Sequence, residues 1–392
     1  MKTALRILGL AVLACLAAGG RASAQVPTGT PEALFPGDIH AKSGLTCESC
    51  HGKPPASGTY APVKRTEIAP MCAHCHSDPT YIQHFKRDAR VDAYALYQTS
   101  THGKEMAKGE TRVATCTDCH GAHGVRPVQD AASPVNPLHV VATCSRCHLD
   151  DARMTALKHN TKPPKEWKAS VHAKALADGD TSAPTCATCH SGHGATPTGV
   201  ASLELVCSQC HVRETELYNS SPKQKLFAEL GHPGCITCHE NHKILMPSDN
   251  WVSMKDPVAP CSTCHDSTMK GATEIVAVRQ QLQQLSDGID RAGLVLDRAE
   301  RVGMLVDDGR ASLRDARERQ ILARLNVHAF ALKPFTPIAT QGMTSASRAE
   351  KAGNDALAEL QFRRKGLAVA TVVILGFLAT LWWKIRRLPP GA

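Results

Sequence analysis

One pentapeptide, Cys-x-x-Cys-His, occurs eight times in this chain of 392 residues and constrains its fold more than any other feature. We number these motifs 1 to 8 in chain order. They occupy residues 47–51, 72–76, 116–120, 144–148, 186–190, 207–211, 235–239 and 261–265. Of the 17 cysteines, only Cys15 lies outside them. A histidine follows the second cysteine every time, so the eight copies indicate one chemistry used repeatedly.

This spacing is the attachment signature of c-type haem. Two thiols one turn apart form thioethers with the porphyrin vinyl groups, and the histidine that follows becomes the proximal iron ligand. The predicted thioether residues are Cys47, Cys50, Cys72, Cys75, Cys116, Cys119, Cys144, Cys147, Cys186, Cys189, Cys207, Cys210, Cys235, Cys238, Cys261 and Cys264. The predicted proximal ligands are His51, His76, His120, His148, His190, His211, His239 and His265. The sequence thus predicts eight covalent haem c groups.

Zinc sites and thiol–disulfide exchange also use Cys-x-x-Cys. A zinc site would need the cysteine pairs to combine two by two, and a disulfide framework would join the cysteines to one another. Neither interpretation explains the histidine that ends all eight motifs. Haem also supplies the apolar surface that this chain lacks, since only 4% of its residues are aromatic. We therefore expect the polypeptide not to fold without haem.

The formal net charge of +9 does not indicate a nucleic-acid partner. Residues 25–270 contain 24 basic and 24 acidic side chains, and residues 271–362 contain 12 of each. The excess lies in the N-terminal leader and beside the last apolar run. Two propionates per haem would make the motif-bearing region acidic.

Residues 1–24 are typical of a secretory signal peptide. Lys2 and Arg6 precede a short apolar stretch, and Ala22-Ser23-Ala24 provides small residues for cleavage before Gln25. The apolar stretch is too short to span a membrane. Haem is attached covalently on the outer side of the bacterial inner membrane, so the leader and the motifs both predict a periplasmic location.

From the leader to about residue 270 the chain is an internal repeat. Ser100-Thr101-His102 and Ser170-Val171-His172 each place a histidine 14 positions before the first cysteine of the next motif. Motifs 3, 5 and 7 continue as His-x-x-His, whereas motif 1 does not. The motifs therefore group into four dihaem repeats, repeats 1 to 4, and the first is degenerate.

The sixth ligand decides whether an iron only passes electrons or also binds substrate. The repeat pattern selects the histidine ahead of each repeat, and the histidine three residues after a proximal histidine. The predicted distal ligands are His40, His102, His172 and His232, then His123, His193 and His242, with His328 as the eighth. Residues i and i+3 share a helix face, so the second group should serve a neighbouring haem. His74 and His84 are second choices.

The distal histidine that the pattern lacks belongs to repeat 1, which makes the haem of His51 the candidate open site. For four histidines outside the predicted eight ligands, including the two second choices, we favour a solvated or propionate-bonding role over ligation. These are His74, His84, His139 and His159.

Residues 271–362 carry a heptad stripe, which predicts a long helix. The stripe consists of Val278, Leu282, Leu285, Ile289, Ala292, Leu296 and Ala299. It weakens at Gly303, Pro334 and Pro337 break the pattern, and a second helix is predicted from about residue 345. We expect an antiparallel hairpin. The stripe does not say whether its partner is in the same chain, so a homo-oligomer remains open.

Gly366 to Trp383 is an 18-residue apolar run without a charge. As a helix it would be about 27 Å long, enough to cross the hydrocarbon layer. Trp382 and Trp383 suit the membrane interface. A buried core helix is the alternative. We expect a transmembrane helix at 363–387, with residues 388–392 in the cytoplasm.

The Ser-x-His and Cys-x-x-Cys-His-x-x-His repeats, followed by long helices, resemble bacterial multihaem c-type cytochromes. Over residues 40–362 the layout is similar to pentahaem nitrite reductase, octahaem hydroxylamine oxidoreductase and octahaem tetrathionate reductase. No motif here ends in lysine as in the nitrite reductases, and none of the five tyrosines matches the cross-linking tyrosine of hydroxylamine oxidoreductases. With its C-terminal apolar run, the chain is more similar to membrane-anchored periplasmic octahaem cytochromes of respiratory chains.

We therefore predict a mainly α fold with much irregular loop: an octahaem domain at 25–270, a helical hairpin at 271–362 and one C-terminal transmembrane helix. The resemblance implies an electron-transfer protein between a quinone-reactive inner-membrane subunit and periplasmic redox partners in anaerobic-type respiration. We favour this carrier over a reductase and assign no catalytic residue. The alternative is an octahaem oxidoreductase of nitrite, hydroxylamine or tetrathionate with one open haem site.

Overall fold

The computed structural model describes residues 28–256 and 259–387. The predicted signal peptide at 1–24 and the predicted cytoplasmic tail at 388–392 lie outside these residues. All regular structure in the described residues is helical, with irregular loops between the helices and no strand. The predicted mainly α fold is confirmed.

Short helices make up the part of the chain that carries motifs 1 to 5. Helices α1 to α13 span Pro31–Leu34, Ile39–Lys42, Cys47–His51, Arg65–His76, Pro79–Ile82, Ala93–Thr99, Thr101–Ala107, Cys116–His120, Val140–His148, Asp151–Ala156, Lys162–Lys168, Val171–Ala177 and Cys186–His190. Helix α7 in repeat 2 and helix α12 in repeat 3 end in the same way. Gly109 and Gly179 follow these helices with φ of +88° and +100°, a conformation that favours glycine.

The helices become longer towards the C-terminus. Helices α14 to α19 span Val212–Asn219, Pro222–Leu230, Ile236–His239, Ala272–Arg301, Asp307–Asn326 and Leu332–Arg386. Short 3-10 segments lie at Phe35–Gly37, Leu203–Gln209, Asp249–Trp251, Pro260–Thr263 and Val327–Ala329.

The chain divides into two compact units. The N-terminal unit contains the described residues up to Cys207 together with His239–Met246. The C-terminal unit contains Ser208–Cys238 and the described residues from Pro247 onwards. Helices α14 and α15 therefore belong with the long C-terminal helices, although the sequence suggested a boundary near residue 270. The four dihaem repeats as folding units stay a prediction.

The C-terminal unit has a hydrophobic core formed by α17, α18 and α19. All seven residues of the predicted heptad stripe are buried in it. The expected two-helix hairpin is in fact a bundle of three helices. Helix α17 ends at Arg301 because Gly303 adopts a φ of +83°. Pro334 lies in the first turn of α19, where no backbone N–H is needed, so it does not prevent the helix from starting at Leu332.

Glycines let α19 approach α17 closely. A Cβ added at Gly342 would lie 2.9 Å from Leu285 Cδ1, and one at Gly353 would lie 2.7 Å from Val295 Cγ1. These contacts advance in the same direction along both helices, so α17 and α19 run parallel. Helix α18 connects α17 to α19 along the chain, and its Arg319 also lies against Gly342.

The apolar run near the end of α19 is fully exposed. Its 18-residue window has a mean hydropathy of 2.0 and none of it is buried. Within the described residues, α19 is the one helix long and apolar enough to cross a membrane. The alternative of a buried core helix is therefore wrong. The Arg386 and Arg387 guanidinium groups lie 4.2 and 3.7 Å from the ring centres of Trp382 and Trp383.

The bundle core makes a testable prediction about stability. Leu285 is fully buried, so Leu285→Ala leaves a cavity and should lower the free energy of unfolding by about 2–5 kcal/mol. Leu294 lies on the same helix but is 69% exposed, so Leu294→Ala should change it by less than about 0.5 kcal/mol. Denaturant unfolding in detergent, followed by far-UV circular dichroism, measures both. Equal effects of the two substitutions would contradict the bundle.

Candidate haem-binding sites

The first motif of repeats 1, 2 and 3 forms a helix of its own. Helices α3, α8 and α13 each contain the five motif residues and no others. A threonine precedes each helix, and its backbone N–H donates to the side chain of the third helix residue: Thr46 to Ser49, Thr115 to Asp118 and Thr185 to Thr188. Residues i, i+3 and i+4 share a helix face, so both thiols and the imidazole point the same way. A thioether-bound porphyrin needs this arrangement.

The second motif of repeats 1 and 2 instead ends a longer helix. Helix α4 ends at His76 and α9 ends at His148. An ion pair joins α4 to the first motif of the next repeat, with Arg65 Nη2 2.6 Å from Asp118 Oδ2. Motif 2 is thereby held beside motif 3.

Within the described residues, no disulfide joins the sixteen motif cysteines to one another. The side chains of Cys72 and Cys116 are in contact. Cys144 and Cys186 are related in the same way, so motif 4 lies beside motif 5 as motif 2 lies beside motif 3. The second haem of one repeat and the first haem of the next would be close neighbours.

Ten of the predicted axial histidines face each other in five pairs. The ring centroids are separated by 6.0 Å in His40–His76, 6.1 Å in His51–His123, 6.1 Å in His102–His148, 6.1 Å in His120–His193 and 5.9 Å in His190–His242. A metal–imidazole bond is about 2 Å long, and the ring centroid lies about 1 Å behind the nitrogen, so two imidazoles on one metal ion have centroids about 6 Å apart. The observed separations fit an iron between the rings.

The pairs follow a regular pattern along the chain. A histidine three residues after a proximal histidine faces the first proximal histidine of the preceding repeat, and these rings are nearly parallel, at 15°, 4° and 13°. A histidine ahead of a repeat faces the second proximal histidine of its own repeat, and these rings are inclined by 85° and 54°.

This pattern does not support the expected open site in repeat 1. A histidine that follows a first motif faces the first proximal histidine of another repeat, so its absence after motif 1 does not deprive His51 of a partner. His51 itself faces His123, and its ring also lies 5.0 Å from that of Tyr60. The iron of motif 1 would therefore have a histidine on each side.

A capped helix N-terminus holds each histidine that precedes a repeat. His102 and His172 occupy the second position of α7 and α12, just after the capping serines Ser100 and Ser170. Each serine oxygen accepts a hydrogen bond from a backbone N–H in the first turn, at 3.0 and 3.1 Å. The cap fixes the start of the helix, and the helix fixes the imidazole.

Repeat 4 departs from the predicted alignment. Its capping serine is Ser221, which starts α15, and the second residue of that helix is Lys223. Lys223 Nζ lies 3.0 Å from Nε2 of His265, the proximal histidine of motif 8. His232 lies beyond the end of α15 and packs its ring 5.4 Å from Phe227. Reasoning from histidines alone does not identify Lys223 as a neighbour of His265, although the serine cap at Ser221 marks its position.

A buried carboxylate orients the first of these histidines. Asp38 is 1% exposed and caps α2. Its Oδ1 lies 2.9 Å from Nδ1 of His40. Its Oδ2 accepts a hydrogen bond from the backbone N–H of Val125 at 2.8 Å. With Nδ1–H donating to Asp38, Nε2 of His40 is the nitrogen that can bind iron.

Partial desolvation favours the neutral form of eight of these imidazoles, which is the form that binds iron. Desolvation lowers the pKa of His120 to about 4. It also lowers the pKa of His76, His102, His148, His190, His193, His242 and His265.

The other histidines are placed as follows. Nε2 of His139 lies 2.8 Å from the carbonyl oxygen of Ala131. Nδ1–H of His328 donates to the carbonyl of Leu325 at 2.9 Å, which selects the tautomer that ligates through Nε2. His74, His84 and His159 are exposed. Ligation by His172 and His328 stays a prediction.

Comparison with known proteins supports the interpretation of these sites. Residues 39–149, which contain motifs 1 to 4, match the cytochrome c3 family. The chain is 25% identical over 223 residues to the multiheme cytochrome MtrA of Shewanella baltica (strain OS185). That alignment covers 54% of this chain and 55% of the relative, so it spans about half the length of each protein. Both findings are consistent with a multihaem c-type cytochrome. No solved structure matches the chain.

The His51–His123 pair makes a prediction for this protein. His123→Ala should leave the number of attached haems unchanged and convert one ferric haem from low spin to high spin, because His51 then lacks its opposite ligand. His84→Ala, at an exposed histidine, is the matched control and should change nothing. Electron paramagnetic resonance reads the spin state, and intact-protein mass reads the haem count. A spectrum unaffected by His123→Ala would contradict the pairing.

Asp38 makes a second prediction. Loss of a carboxylate behind a metal-bound histidine typically weakens the metal site by 10–100-fold. If the loss fell wholly on ferric iron, it would correspond to about 60–120 mV for one electron. Asp38→Asn should therefore raise the midpoint potential of one haem by at most about that amount. Ser100→Ala removes a cap without removing a carboxylate and should shift no potential as far. Spectroelectrochemical titration measures both variants.

Proposed function

We propose that this cytochrome is a periplasmic electron-transfer protein with eight covalent c haems, anchored to the bacterial inner membrane by α19. It relays electrons between a quinone-reactive membrane partner and periplasmic acceptors. The observation that carries this proposal is the set of five imidazole pairs with centroids 5.9–6.1 Å apart. An iron with an imidazole on each side has no position for substrate.

Bound haem iron exchanges one electron between its ferric and ferrous states. The chain's contribution is spacing. His120 and His123 lie on one short segment yet face two different partners, His193 and His51. Two irons bound by this segment would be held at a fixed, short separation. The contact of Cys72 with Cys116 has the same effect between motifs 2 and 3.

The exposed apolar run of α19 supports the membrane anchor. In water, 18 residues of mean hydropathy 2.0 without any burial would be strongly unfavourable. In a bilayer the same helix spans about 27 Å of hydrocarbon. Basic side chains flank the run on both sides, with Arg363, Arg364 and Lys365 before it and Lys384, Arg386 and Arg387 after it.

A separate quinone-reactive subunit follows from the anchor, because a single helix encloses no site for a quinone. The alternative function, an oxidoreductase of nitrite, hydroxylamine or tetrathionate, needs an open iron. Motif 1 was the candidate, and the position of His123 removes the reason for choosing it.

The carrier proposal predicts the behaviour of the purified protein. Full-length cytochrome in detergent should not be reduced by a menaquinol analogue alone, whereas dithionite should reduce every haem. Oxidised protein should show low-spin signals of two kinds from the five pairs, because parallel and inclined imidazoles split the iron orbitals differently. Unaided turnover with menaquinol would contradict the need for a partner.

The same preparation has a matched control. A variant that ends at Phe362 lacks the apolar run and should appear in the soluble fraction with the same haem signals. Retention of this variant in the membrane would overturn the anchor, and high-spin haem that shifts with nitrite would favour the oxidoreductase.

A further inference from the structure

Repeat 4 carries a lysine where the other repeats carry a histidine. Ser221 begins α15 as Ser100 begins α7, and its hydroxyl donates to the carbonyl of Tyr218 at 2.6 Å, as that of Ser100 does to Tyr97. The oxygen of Ser221 in turn accepts a hydrogen bond from the backbone N–H of Gln224 at 3.4 Å. The local structure is the same in both repeats, and Ser-Pro-Lys takes the place of Ser-x-His.

The lysine reaches the proximal histidine of the second motif in its own repeat, as His40 and His102 do in theirs. Its Nζ lies 3.0 Å from Nε2 of His265. Two axial nitrogens on one metal ion are about 4 Å apart, since each bond is about 2 Å long. The flexible four-carbon stem of lysine can supply the additional 1 Å or so.

His232, the residue expected from the sequence, is in a different position. Lys223 lies in the first turn of α15 and Leu230 is its last residue, on the order of 10 Å away along the axis. Gly231 then ends the helix with a φ of +68°, and the ring of His232 turns onto Phe227. Phe227 also lies between the two candidates in sequence, with its ring centre 5.4 Å from the Lys223 amine.

We propose that the Lys223 amine is the distal ligand of the motif 8 haem, so that this iron has histidine–lysine coordination. The assignment rests on the proposed attachment of haem at Cys261 and Cys264. On ligation the ammonium gives its proton to solvent and its lone pair to the iron. A primary amine on a flexible stem leaves more readily than an imidazole fixed by a helix. The motif 8 haem should therefore bind a small exogenous ligand such as cyanide more readily than a haem held between two helix-borne imidazoles.

Two single substitutions in the full-length cytochrome separate the candidates. Lys223→Ala should convert one ferric haem to high spin and let it bind cyanide, whereas His232→Ala should leave the spectra unchanged. Near-infrared magnetic circular dichroism should show one histidine–lysine charge-transfer band in the unmodified protein. Lys223→His should replace this band with an additional bis-histidine band, and it carries the test if Lys223→Ala does not mature.

Either of two results would overturn the assignment: high-spin haem from His232→Ala but not from Lys223→Ala, or no histidine–lysine band in the unmodified protein. Mass spectrometry of the peptide that contains Cys261 and Cys264 separates this failure from that of the proposed function. A peptide without haem would overturn the eight-haem proposal and the assignment together. A haem-bearing peptide with spectra insensitive to Lys223 would overturn the assignment alone.

Discussion

The pairing of imidazoles from distant parts of the chain is the constraint on which the motif-bearing region depends. His51 and His123 are 72 positions apart in sequence, yet their rings face each other across the width of one iron. The hydrophobic core cluster lies wholly in the C-terminal bundle, whereas buried apolar side chains in the first 200 residues are few and scattered. A metal ion bound by both rings would cross-link segments that side-chain packing holds only weakly. Metal binding then contributes directly to folding.

The same argument explains which features were predictable from the sequence. The helices at motifs 1 to 5 suit the spacing, because cysteines at i and i+3 with histidine at i+4 share one face of an α-helix. Spacing alone does not decide the matter, since motifs 6 and 8 begin in 3-10 segments. The partner of each imidazole depends on where loops of Pro, Gly and Ser carry the chain, and local sequence does not encode that path. The prediction that His123 serves a neighbouring haem agrees with its position. The choice of neighbour, the preceding repeat, required the structure.

The C-terminal helices show the opposite balance. The heptad stripe from Val278 to Ala299 identified the buried face correctly, because apolar periodicity reflects burial. The number of helices was misjudged on two residues. Gly303 was expected to weaken a helix but instead ends one with a positive φ, and Pro334 was expected to break a helix but lies in the first turn of α19. The sequence shows that a glycine or proline interrupts the helical pattern. Whether it ends a helix or begins one depends on its position within the turn.

The repeats differ most at the two ends of the motif-bearing region. The helix that holds the distal ligand is capped by a serine in repeats 2, 3 and 4, but by the buried carboxylate of Asp38 in repeat 1. The ligand position itself holds histidine in repeats 1, 2 and 3 but Lys223 in repeat 4. A carboxylate behind an imidazole strengthens the ligand and stabilises ferric iron. At motif 8, an amine in place of an imidazole changes the electron donation that the iron receives from its distal ligand. Because axial ligands and their hydrogen bonds set haem potentials, these substitutions would distinguish the haems of motifs 2 and 8 from the others.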